Sequence, residues 1–151
     1  MADLMLPHDA ALNPKDVCAF LGIKGSELIH ITHEVRPTIP AHAKGAKSKW
    51  SPQDVVRAMF VVRLRDFGIL PHQRASFLAR LDVESFHKYY FHNFFLYGLV
   101  FSGGFKVDEI EERQLHITLK NGPPMILFNI HDFLNYEIQR LYLFLVRGRE
   151  Q

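Results

Sequence analysis

The segment "WSPQDVVRAMFVVRLRDFG", Trp50 to Gly68, constrains the fold more than any other part of the chain. Ser51 reads as an N-cap, with Pro52 at the first helical position and Asp54 two residues on, where a carboxylate favours the positive helix end. Gly68 supplies the stop. Between these signals the apolar side chains, placed at about 100° per residue, cover most of the circumference. Such a helix is stable in water only between two layers. The segment therefore predicts a central beam ending near Phe67, with structure packed on both sides.

The chain can supply those layers. Its 151 residues are enough for one domain or two small modules sharing a core, and 48% hydrophobic content with 13 phenylalanines favours a folded globule over disorder. Before the beam, "NPKDVCAFLGI" predicts a helix capped by Asn13, with Pro14 in its first turn and Gly22 at its end. "KGSELIHITHEV" predicts a second helix with Ser26 as N-cap, and the break "GIKG" is short enough for a helix-turn-helix. Pro37, Pro40 and Gly45 exclude a helix from Arg36 to Lys49, which reads as an extended arm or small hairpin. Behind the beam, "LPHQRASFLARL" predicts a fourth helix over 71–81.

After Asp82 the pattern changes. "VESFHKYYFHNFFLYGLVF" is helical at first and then extended, "SGG" is a turn, and "FKVDEIE", "RQLHITL" and "MILFNI" read as strands of a three- or four-stranded antiparallel meander. The aromatic stretch suits either a packed core or a pocket for a flat or apolar ligand. A last helix opens near Asp132, and Leu134, Ile138, Leu141 and Leu145 follow the 4–3–4 spacing of a helix-pair seam. The fold class expected is thus α+β, with a mainly α N-terminal module, a small antiparallel meander and a C-terminal helix.

Charge is distributed unevenly. The formal net charge is only +2, yet from Arg36 to Arg65 the cations Arg36, Lys44, Lys47, Lys49, Arg57, Arg63 and Arg65 face Asp54 alone, whereas Asp108 to Glu112 is acidic. Such clustering suits a polyanion; a solvated charged face is the alternative. Cys18 is the only cysteine, which excludes an intramolecular disulfide and any cysteine-based zinc site within one chain. His30 with His33, His87 with His92, His116 and His131 are ligands by type, but no H-E-x-x-H spacing appears, so no metal is expected. The chain has no Gly-rich phosphate loop and no G-x-S-x-G, so neither catalysis nor a cofactor is expected. The start "MADLMLPHDAALNP" has no basic region of the signal-peptide kind, and no apolar run approaches the ~20 residues of a membrane span. A cytoplasmic location without membrane contact is expected.

The order helix-turn-helix, basic arm, aromatic, Ser-x-x-Asp cap and a helix ending in Leu-Arg-x-x-Gly resembles the DNA-binding module of the MerR family of transcription regulators. Trp50, Ser51, Asp54, Leu64, Arg65 and Gly68 carry the likeness, with Leu78 behind them and "CAFLGI" in the first helix. It covers roughly residues 12–81. His33 and Glu34 stand where the family has an aromatic and Glu, and Ser48, between Lys47 and Lys49, where it has the wing arginine. Residues 82–151 do not show the family's long coiled coil.

The resemblance implies a leader over 1–11, a winged helix-turn-helix over 12–81 and a dimerisation or effector module over 82–151. It implies sequence-specific binding of double-stranded DNA by a nucleoid-associated homodimer, with RNA polymerase as a further partner. Ser26, Glu27, His30 and His33 would reach the major groove, with Ile29 beside them; Arg36, His42, Lys44, Lys47, Ser48, Lys49, Arg57 and Arg65 would serve the backbone or minor groove. Leu134, Ile138, Leu141 and Leu145 would form the dimer seam. The alternatives are a phage-type architectural or packaging factor, an excisionase-like winged helix, or a protein-interaction adaptor with a winged fold.

Overall fold

The computed structural model describes residues 11–37, 49–81, 83, 94–101, 104–121 and 125–149. Six helices and three strands occur among them: α1 (Pro14–Leu21), α2 (Gly25–Val35), α3 (Pro52–Asp66), α4 (Pro71–Arg80), β1 (Phe94–Phe101), β2 (Gly104–Glu111), α5 (Glu112–Asn121), β3 (Met125–Asn129) and α6 (Ile130–Arg149). The fold is α+β, with a C-terminal helix.

Local signals set most helix ends. Asn13 Oδ1 accepts the Asp16 N–H at 2.9 Å, and Ser51 Oγ accepts the Asp54 N–H at 3.1 Å. α3 ends with Gly68 at φ +77° and the Ile69 N–H donating to the Leu64 carbonyl at 3.0 Å, which satisfies an otherwise orphaned acceptor. α2 departs from expectation. It starts at Gly25 with Lys24 as N-cap, because the Glu27 carboxylate reaches back to accept the Lys24 N–H at 2.8 Å; Ser26 lies inside the first turn. α6 likewise starts before Asp132, with Asn129 Oδ1 accepting the Asp132 N–H at 3.0 Å.

α3 is the beam. From Pro52 to Leu64 only Arg57 and Arg63 escape full burial, and the helix packs against α1, α2, α4 and α6. Trp50, 1% exposed, enters it through a two-way backbone bridge to Leu12, with N–H to carbonyl distances of 2.8 and 2.9 Å. The chain's first described contact is therefore tied to the residue that opens the beam.

The sheet is antiparallel and three-stranded, in the order β2-β1-β3. Phe101 faces Gly104 and Phe94 faces Glu111 on one side of β1, while Phe95 faces Asn129 and Leu99 faces Met125 on the other. This is not the expected meander, whose middle strand would have been the second. The cause is α5, which occupies "RQLHITL" where a strand was expected and carries the chain past β1. Leu115, Ile117 and Leu119 alternate as in a strand, but Leu115 and Leu119 also share one helix face. Glu112 in the first turn and Lys120 in the last suit the helix dipole.

One hydrophobic core runs through both halves of the chain. Phe60 of α3 meets Phe77 of α4, Phe128 of β3 and Phe133 of α6 at ring-centre distances of 6.4, 4.9 and 5.3 Å. Gly98 lies beneath the Phe105 ring, and a β-carbon there would stand 2.4 Å from that ring. A glycine is required for so close an approach. Leu134, Ile138 and Leu141 are 0%, 3% and 0% exposed, packed into this core rather than turned to a partner. Leu145 is partly buried against it. The expected seam is corrected on that ground: the stripe exists, but its own chain fills it.

Candidate nucleic-acid interface

α2 offers two faces. Leu28, Ile31 and Val35 are buried, and Ser26, Ile29, His30 and His33 point outward on the opposite side. Lys24 is exposed at the start of the helix and Arg36 at its end. Arg36 holds φ +54°, a left-handed conformation that costs a residue bearing a β-carbon roughly 1 kcal/mol.

The two acidic residues of α2 are both matched by arginines. Glu34 is gripped by Arg74 of α4, whose Nε and Nη2 donate to its two oxygens at 2.9 and 2.5 Å while Nη1 donates to the Ile69 carbonyl at 2.7 Å. These hydrogen bonds to Glu34 raise the Arg74 pKa above its ordinary value, against the opposing effect of burial. Glu27, besides capping the helix, lies 3.6 Å from Arg65 of α3. The outward face of α2 thus carries hydroxyl and imidazole groups with Ile29, flanked by cations, and its carboxylates are drawn to the sides toward arginines.

The remaining predicted residues fall into three groups. Lys49 is exposed just before the anchored Trp50. Arg57 does not join α2: its guanidinium lies 3.2 Å from the buried Asp54, and its side chain is only 18% exposed. Arg65 sits beside α2 but is shared between Glu27 and, at 3.7 Å, Asp66. Both arginines thus face carboxylates of their own chain, which a count of charges does not reveal. His42, Lys44, Lys47 and Ser48 lie outside the described residues, as do His87, His92 and the first half of the aromatic stretch. Among the described residues no three His, Cys, Asp or Glu side chains converge as metal ligands, and no helix is long and apolar enough to cross a membrane.

Sequence reading missed Lys24 as the cap and the Glu34–Arg74 fork. The first had a signal, since Glu27 stands three residues after Lys24. The second joins residues 40 apart and had none. No model of a known protein family matches the chain, and no curated protein matches it.

Proposed function

We propose that the chain is a sequence-specific, double-stranded DNA-binding transcription regulator of MerR-like winged helix-turn-helix type, acting as a homodimer. The observation that carries the proposal is the outward face of α2, with Ser26, Ile29, His30 and His33 at one-turn spacing and both neighbouring carboxylates turned toward arginines of α3 and α4. A helix of this kind fits the major groove, where hydroxyl and imidazole groups meet base edges and Ile29 meets a thymine methyl. Lys24, Arg36 and Lys49 flank that face and supply phosphate contacts, which set affinity more than sequence choice.

The α2 face is held at a fixed pitch. Arg74 clamps its C-terminal half to α4, and Arg65 approaches its first turn from α3. A rigid support lets a short helix discriminate bases, because each lost degree of freedom reduces the entropy cost of binding.

Fluorescence anisotropy with a random duplex and with duplexes selected from a random pool tests this. Binding should weaken with salt at about 0.9 log units per phosphate contacted, and the selected sites should be palindromic. No affinity for any duplex at low ionic strength overturns the proposal and favours the adaptor alternative.

A further inference from the structure

Seven large hydrophobic side chains are exposed among the described residues, and four of them lie on α6: Tyr136 at 61%, Tyr142 at 37%, Leu143 at 53% and Val146 at 37%. Tyr136, Gln139, Leu143 and Val146 follow one another at spacings of three, four and three residues. That is the a/d rhythm of a helix pair. It lies apart from the stripe already spent on the core, so α6 carries two seams, one filled and one open.

We propose that a second copy of this chain covers the open seam, its α6 antiparallel to the first across a two-fold axis near residue 141. The charges select this occupant and this direction. From Ile138 onward the described side chains of the helix include Arg140 and Arg147 and no acidic residue, while Asp132 stands exposed in its first turn. A parallel pair would set the basic ends side by side. An antiparallel pair brings Asp132 of each copy within about a turn of Arg147 of the other and opposes the two helix dipoles. Arg140, near the axis, does not oppose this. Its guanidinium is turned into its own chain, where it lies 3.5 Å from Glu137, a carboxylate shared with Arg63, and donates to the Phe20 carbonyl at 2.7 Å. In this register Tyr136 meets Val146 of the second copy and Gln139 meets Leu143.

The seam spans about 15 Å at 1.5 Å per residue, a short contact, so dissociation is expected in the micromolar range. The dimer stands independently of duplex binding, and its test contains no DNA. Sedimentation velocity of the full chain, from low to several hundred micromolar, should show a concentration-dependent dimer. Leu143→Glu should raise the dissociation constant about tenfold or more with circular dichroism unchanged; should it fail to fold, Val146→Glu takes its place. In a Cys18→Ser background, a short bismaleimide should link Tyr142→Cys to its copy but not Val146→Cys. A wild-type monomer at every concentration, a Leu143→Glu dimer as tight as wild type, or preferential linking of Val146→Cys would each overturn the proposal.

Discussion

α2 and α6 are both two-faced helices, and they differ in what their outer faces offer. α2 turns hydroxyl and imidazole groups and Ile29 outward, flanked by cations, and draws its two carboxylates toward arginines at its sides. α6 turns tyrosine, leucine and valine outward and sinks its one late carboxylate, Glu137, between Arg63 and Arg140. Water tolerates the first face indefinitely; the second gains from being covered. Periodicity alone makes the two helices look alike. What separates them is the chemistry left over once each has fed the core.

The largest expected effect separates the two stripes of α6 itself. Leu141→Asp should cost more than about 4 kcal/mol and leave little folded protein, since it puts a charge where nothing can pair with it, whereas Leu143→Glu should shift stability by less than about 0.5 kcal/mol. Urea unfolding of the two variants decides it, and equal losses would break the division of the helix into a filled and an open side. Next comes the clamp on α2. Glu34→Ala should destabilise by about 1–3 kcal/mol, because a mostly buried guanidinium loses its partner, and duplex affinity should fall as the helix loses its fixed pitch. A stable protein with unchanged affinity would show that α2 needs no support from α4.

Smaller effects sharpen the reading of α2. His33→Ala should relax discrimination at one base position by about 1–3 kcal/mol while leaving binding to random duplex intact, measured by competition between selected and random sites. Arg36→Gly should have two opposite consequences. Relief of the left-handed strain should raise stability by roughly 0.5–1 kcal/mol, and loss of the cation should weaken all duplexes alike. Thermal melting together with a salt titration reads both, and a gain in stability without loss of affinity would remove Arg36 from the phosphate contacts.

What could be read from sequence followed the range of the forces involved. Asn13, Ser51 and Gly68 act within one turn, and the structure uses each as its residue type predicts. The all-round apolarity of Val55 to Leu64 required burial on every side, which is how α3 is found. α5 departs from the expected strand because Leu115 and Leu119 fit both periods, and only the surrounding structure chooses between them. The spacing of Leu134, Ile138 and Leu141 marks an apolar stripe, but spacing does not say whether its cover comes from the same chain. The candidate site was legible in the outward residues of α2 and not in its fixings. Arg57, Arg65 and Arg74 are all plausible phosphate ligands by type, and only the folded arrangement assigns each to a carboxylate.

The aromatic cluster about Phe60 draws on α4, β3 and α6 together, and this has a practical consequence for anyone dissecting the molecule. A fragment cut after Leu81 would keep Phe60 and Phe77 yet lose the rings of Phe105, Phe128 and Phe133 that shield them. Such a piece would precipitate or bind indiscriminately, and its behaviour toward nucleic acid would say nothing about the intact protein.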